Sequence, residues 1–295
     1  MNQDLLISGF SDEISSDFDT QLEVVSNLGM KYISLRGIDG KNIGDFTVDE
    51  MKETVLPRLQ KAGIGVSSIG SPIGKVFIND EEGFAKQKGM LDTLCQISNL
   101  LDCNYMRIFS FYIPKGEDAD QYRNQVVSKL KEFAAIAEKY NVILLHENEK
   151  DIFGDIGRRC HEILTEVASP YFKGIFDFAN FVQCGEDTQE CYDLLKDEIV
   201  YIHIKDAVTS DSQNVVCGTG EGKIPELLAQ FIKSGYKGFL TLEPHLVLFD
   251  SLKDLELEDA TEIIKDNKGL DGAGGYKLQY EALLDILKKI ESEGI

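Results

Sequence analysis

The sequence predicts an α/β protein folded as a single (β/α)8 barrel. Three observations carry this. Eight short β-rich runs alternate with longer amphipathic runs from end to end, several amphipathic runs stop at glycine just before the next strand, and 295 residues suit one barrel, which commonly takes about 250. In chain order the strand candidates are LLISGF (5–10), YISLRG (32–37), GVSSIGS (65–71), YMRIFSFY (105–112), VILLHENE (142–149), GIFDFANF (174–181), VYIHIKDA (200–207) and GFLTLEPHL (238–246). Helical runs such as FDTQLEVVSNLG (18–29), DQYRNQVVSKLKEFAAIAEKY (120–140) and IPELLAQFIKSG (224–235) repeat their apolar residues every three or four positions. Gly29, Gly63 and Gly235 fall where helix C-termini are expected. One domain is expected over 1–295, with a long connection at about 247–275 that serves as a lid over the barrel mouth or as an oligomer arm. GAGGY (272–276) is expected in that late loop, and no Gly-rich nucleotide fingerprint follows the first strand.

Composition narrows the function. Fifty-one acidic residues against 30 basic ones give a net charge of -21, which repels a phosphate backbone and argues against a nucleic-acid partner. The N-terminus lacks a basic and apolar leader, and no run approaches the ~18 apolar residues of a membrane span, so a cytoplasmic protein with no membrane partner is expected. The six cysteines form no CxxC pair and are expected as reduced thiols.

In a barrel the C-terminal strand ends converge on one face. Here strand five ends in Glu147, strand six in Asp177, strand seven in His203 and strand eight in Glu243. Side chains alternate along a strand, so Leu145 and Glu147 share a face, as do Ile175 and Asp177, Tyr201, His203 and Lys205, and Thr241, Glu243 and His245. Leu144, Phe176, Ile202, Ile204 and Leu242 fill the opposite face, as packing under helices requires. Three carboxylates and one imidazole therefore point into the barrel together. Such a cluster is costly to desolvate unless a cation compensates. Hard oxygen donors with one nitrogen suit a single divalent ion, Mn²⁺ first, with Mg²⁺, Co²⁺, Fe²⁺ and Zn²⁺ also compatible. Further polar residues near the mouth, Arg36, Lys75, Arg107, Asn180, Lys205 and His245, are candidates for substrate contacts. For Arg107 a structural ion pair is an equal alternative, and Lys205 with Asp206 forms a candidate rim pair. CGTGEG (217–222) either cradles phosphate through its amides or simply turns, Glu221 favouring the turn.

HENE, FDFANF, YIHIKDA, GEGKI and GFLTLEPHL, together with GFSDEI and NLGMKYISLRG, resemble the strand-end motifs of the xylose isomerase-like TIM barrels, the sugar phosphate isomerase/epimerase superfamily. The resemblance covers nearly the whole chain. It implies that Glu147, Asp177, His203 and Glu243 are metal ligands, that Glu147 and Glu243 double as the acid/base pair, and that the protein forms a homo-oligomer acting on a small sugar. Two positions depart from the ketose-epimerase pattern: Asn180 stands where many carry a His, and Thr209 where they often carry an Arg.

The expected chemistry is proton abstraction beside a carbonyl of a ketose or keto-sugar, free or phosphorylated, giving epimerisation or isomerisation. Elimination from the same intermediate, by a lyase or dehydratase, is the first alternative. A non-catalytic sugar-binding barrel is another. An endonuclease IV-like trinuclear zinc site is opposed by the acidic surface and by having only four histidines.

Overall fold

The computed structural model describes residues 5–249 and 269–294. Eight strands run parallel: β1 Leu5–Gly9, β2 Tyr32–Leu35, β3 Gly65–Gly70, β4 Tyr105–Ile108, β5 Ile143–His146, β6 Phe172–Asp177, β7 Ile199–Ile204 and β8 Gly238–Leu242. Each pairs with its neighbour in sequence from β2 to β8, and β8 returns to pair with β1. The remaining seam, β1 to β2, is bridged by one parallel contact between Phe10 and Ser34 just beyond β1. The fold is a nearly closed TIM barrel.

The outer layer holds α1 Phe18–Asn27, α2 Leu56–Ala62, α3 Glu81–Leu100, α4 Arg123–Glu138, α5 Gly157–Val167, α6 Thr188–Leu195, α7 Ile224–Lys233 and α8 Gly272–Ser292. Aspartates start several of these by accepting a first-turn amide: Asp17 from Thr20 at 2.7 Å and Asp80 from Gly83 at 2.8 Å. Gly63, just past α2, has φ +66°, and Gly29 and Gly235 are also left-handed, as their position at helix ends predicts. All six cysteines are free. Among the described residues no helix is long and apolar enough to cross a membrane.

The predicted alternation holds. Leu144, Phe176, Ile202, Ile204 and Leu242 join the large core between sheet and helices, whereas Leu145, Ile175 and Tyr201 form a separate cluster inside the barrel. Beside that cluster lies a buried hydroxyl web: Tyr201 Oη is 3.0 Å from both Ser67 and Ser68 Oγ, Ser34 Oγ is 2.7 Å from Ser68 Oγ, and Thr241 Oγ1 lies 2.6 Å from Tyr201 Oη. Every hydroxyl in it finds a partner, so the floor under the mouth is polar yet satisfied.

Two expectations are corrected. Strands four, five, six and eight are shorter than the apolar pattern implied: β4 stops at Ile108, the 174–181 run turns helical at Phe178, and Glu147 and Glu243 lie one residue beyond their strands. Residues 272–276 are not a loop but the first turn of α8, capped by Asp271, which accepts from Gly274 N at 2.7 Å. Glycine is required there because a Cβ on Gly272 would lie 2.4 Å from the Ile14 carbonyl oxygen. The central part of the expected lid, 250–268, lies outside the described residues.

Candidate metal centre and substrate pocket

The ends of β5 to β8 deliver Glu147, Asp177, His203 and Glu243 to one point, where one donor atom from each lies within 4.8 Å of the others. All four are buried. His203 Nδ1 faces the carboxylates, 2.8 Å from Glu147 Oε1, 3.2 Å from Glu243 Oε2 and 3.7 Å from Asp177 Oδ2. The His203 ring also makes a T-shaped contact with Phe10 at 5.3 Å between centroids.

The two glutamates each divide their oxygens between His203 and a cation. Glu147 offers Oε1 to His203 and Oε2 to Arg107, 3.3 Å away. Glu243 offers Oε2 to His203 and Oε1 to Arg36, 2.8 Å away. Lys205 Nζ lies between Asp177 Oδ2 at 3.3 Å and Glu243 Oε2 at 3.4 Å. The electrostatics follow. Burial works against the charged form of every group, but His203 and Arg107 still hold Glu147 below the ordinary carboxylate range, and Lys205 and His203 hold Glu243 well below it. Asp177, where burial dominates, is raised. For His203 burial is outweighed by Glu147 and the other carboxylates, and its pKa rises well above that of a free imidazole.

The donor set fits a divalent cation. Asp177 Oδ2 is buried and makes no hydrogen bond, and the imidazole Nδ1 lies within 3.7 Å of an oxygen of each of the three carboxylates.

Above the cluster opens a narrow polar pocket lined by Lys75, Arg107, Phe109, Glu147, Glu149, Asn180, Gln183, Lys205, Glu243 and His245. Five of the six predicted substrate contacts line it. The sixth, Arg36, does not: it is 1% exposed, sits behind Glu243, and is gripped by Asp12 at 2.8 and 3.1 Å and by Glu13 at 3.2 Å. Lys75 pairs with Glu149 at 2.8 Å and stands over the Phe109 ring. His245 has φ +46°, its backbone N–H donates to Glu13 Oε2 at 2.7 Å, and neither ring nitrogen makes a hydrogen bond. Burial lifts the Glu13 carboxyl to about 8 despite Arg36.

Lys205 does not pair with Asp206. The Asp206 carboxylate instead accepts the amides of Ala207, Gly218, Gly220 and Gly222 at 2.8–3.0 Å. The CGTGEG amides are thus spent on the chain's own carboxylate, and the turn alternative is the one realised. Thr209 donates to Glu221 at 2.6 Å within the same loop region.

Sequence reasoning missed Asp12, Glu13, Asn148, Phe109 and Gln183. Asn148 is the most instructive. Its side chain donates to the Asp177 carbonyl at 3.1 Å and accepts from the Asp177 amide at 3.2 Å, tying the β5 end to the β6 end. Asn180 closes the tie: its Nδ2 donates to the Asn148 carbonyl at 2.8 Å and its amide donates to Asp177 Oδ1 at 2.9 Å. The signal available was position alone, one residue after a candidate ligand.

This chain belongs to the xylose isomerase-like TIM barrel family, whose model matches residues 22–267. A 3-dehydroshikimate dehydratase from Bacillus anthracis is 23% identical over 132 residues, 45% of this chain and 47% of that protein, so the match spans about half the length of that relative. A solved structure of an IOLI protein with a binding zinc atom superposes with a TM-score of 0.75 at 17% identity, covering 97% of this chain and 99% of that one. A D-tagatose 3-epimerase-like protein gives a TM-score of 0.74 at 16% identity over 98% of this chain and all of that one (100%). The structural likenesses show a shared fold.

Proposed function

We propose that the protein is a divalent-metal-dependent isomerase or epimerase that removes a proton next to the carbonyl of a ketose or keto-sugar. Glu147, Asp177, His203 and Glu243 would hold the ion, Mn²⁺ by the balance of donors. One observation carries the acid/base assignment: of these four residues only Glu147 and Glu243 also line the pocket, while Asp177 and His203 lie behind them.

The ion, when bound, supplies Lewis-acid polarisation of the carbonyl, which makes the neighbouring C–H acidic enough for a carboxylate to remove. The chain's own residues supply the rest. Glu147 and Glu243 are held ionised by their cationic partners, so either can accept a proton at its oxygen without first losing one. They come from strands three apart on the ring and approach the pocket from different sides, so one can take the proton from carbon while the other, after taking up a proton from solvent, delivers it to the opposite face. Arg107 and Lys205 donate toward oxygens developing negative charge, with Lys75, Asn180 and His245 assigned to the remaining substrate hydroxyls. The pocket's lining of charged and amide side chains suits a small polyhydroxylated molecule. The strongly negative surface supports a small-molecule partner over nucleic acid. A homo-oligomer in the cytoplasm completes the reading, and six free cysteines are in keeping with a reducing compartment.

The test is solvent exchange. Mn²⁺-loaded protein incubated in D₂O with a panel of ketoses and keto-sugars should place deuterium at one carbon beside the carbonyl, and Glu147→Gln and Glu243→Gln should each reduce the rate by a factor on the order of 10² or more. Absence of exchange on any carbonyl sugar by metal-loaded protein removes the reading. The Bacillus anthracis dehydratase match supports a second outcome from the same proton abstraction, expulsion of a hydroxyl at the next carbon, which would appear as a new conjugated absorbance.

A further inference from the structure

The centre has a second lobe. Glu13, Glu243 and His245 also bring one donor atom each within 4.8 Å of one another, and all three are buried. Glu243 is common to both groups: Oε2 turns to His203, Oε1 to the second lobe. In that lobe His245 Nε2 lies 3.5 Å from Glu13 Oε1 and 3.6 Å from Glu243 Oε1, yet this nitrogen, on a residue only 4% exposed, makes no hydrogen bond. Two carboxylate oxygens and an unbonded imidazole nitrogen converging this way are a cation-binding set.

A cation is already there. The Arg36 guanidinium donates to the same two oxygens, Nη1 to Glu243 Oε1 at 2.8 Å and Nη2 to Glu13 Oε1 at 3.2 Å. Asp12 fixes it from behind with a fork of two bonds, and the Phe10 ring lies 4.4 Å from its centre. An arginine pinned this way lies outside the pocket lining.

We propose that Arg36 is the fixed second cation of a two-lobed carboxylate centre, occupying the place of a second metal ion and holding the site to one. This rests on the reading of Glu147, Asp177, His203 and Glu243 as ligands. Arg36 is a positioning residue: it bonds to Glu13 and Glu243 without titrating, and it commits Oε1 of Glu243 so that only Oε2 serves the metal lobe.

The experiment is Mn²⁺ stoichiometry by elemental analysis, with electron paramagnetic resonance to separate isolated from paired ions. Wild-type protein should hold one equivalent and keep an isolated-ion spectrum even in roughly tenfold excess metal. Arg36→Lys, which keeps a charge, should do the same. Arg36→Ser should take two equivalents and show the exchange-coupled spectrum of a close pair, and Arg36→Ser/His245→Ala should return to one. A coupled pair in the wild type, or a single ion in folded Arg36→Ser, overturns the proposal. If Arg36→Ser does not fold, Arg36→Gln, which keeps bulk and hydrogen bonding but removes the charge, is read in its place with the same two outcomes. Wild-type protein that takes up no ion defeats the four-ligand reading itself, a result distinct from one ion in every variant.

Discussion

His203 Nδ1 lies 2.8 Å from Glu147 Oε1, and the contact joins the ends of β7 and β5 across the mouth of the barrel. It sets the protonation state of the metal-free centre. Three buried carboxylates hold a proton on this imidazole well above the usual histidine range. Metal uptake must expel it.

Affinity for Mn²⁺ should therefore climb with pH. The proton and the ion compete for Nδ1, so below the raised pKa the apparent affinity should increase by about tenfold per pH unit, with close to one proton released per ion bound. Calorimetric titrations between pH 6 and 8, in buffers of different ionisation enthalpy, read both quantities. A pH-independent affinity would mean that His203 is already neutral.

Asn148→Ala should weaken the centre without touching it. The change strands the buried Asp177 amide and carbonyl, both of which Asn148 now satisfies. The expected cost is about 1–3 kcal/mol in thermal or chemical unfolding. Because Asp177 loses its brace, Mn²⁺ affinity should fall by about tenfold or more.

His146 predicts acid sensitivity outside the metal cluster. It faces away from the barrel axis, within 3.0 Å of Ser110 Oγ, and burial pushes its pKa down from 6.5 to about 3. Between these values the unfolded chain binds the proton and the folded chain does not. Its stabilising contribution is therefore complete above pH 6.5 and declines as pH falls toward 3, by roughly 2 kcal/mol at pH 5. Urea unfolding followed by circular dichroism should show a slope in this window that shrinks in His146→Gln. An unchanged slope would assign the acid sensitivity to other groups.

Gly74→Ala tests the loop that carries Lys75 to the pocket. Gly74 has φ +90°, and a Cβ there would lie 2.0 Å from the Phe109 carbonyl oxygen. Strain and overlap together should cost on the order of 2–4 kcal/mol and shift Phe109 and Lys75, raising KM more than they lower kcat. A neutral substitution would show that the loop has room to move.

The barrel and the four-residue cluster were legible because both depend on period and position. Eight alternating runs fix the ring, and two-residue alternation decides that Glu147, Asp177, His203 and Glu243 face inward together. Arg36 was legible as a mouth residue but not in its contacts, since its partner Glu243 is 207 positions away and meets it only when β1, β2 and β8 come round to one another. Asp12 and Glu13 were hidden for a related reason: they sit in a short 3-10 turn after β1, where strand alternation no longer says which way a side chain points. GAGGY reads as a loop by composition. It is a helix start because Asp271 caps it and the close approach of the Glu13–Ile14 carbonyls selects glycine over any larger residue. The Asp206 loop shows the limit of motif reading, for a Gly-rich run that could bind an anion from solution is closed by a carboxylate from its own strand end.

Glu147, Asp177, His203 and Glu243 are proposed to hold one divalent ion together. Elemental analysis of purified wild-type protein beside Glu147→Gln and His203→Ala tests it most directly. Close to one equivalent of Mn or a similar divalent ion is expected in the wild type and little or none in His203→Ala, with both variants folded by circular dichroism. No metal in the wild type after reloading, or full occupancy in His203→Ala, would contradict it.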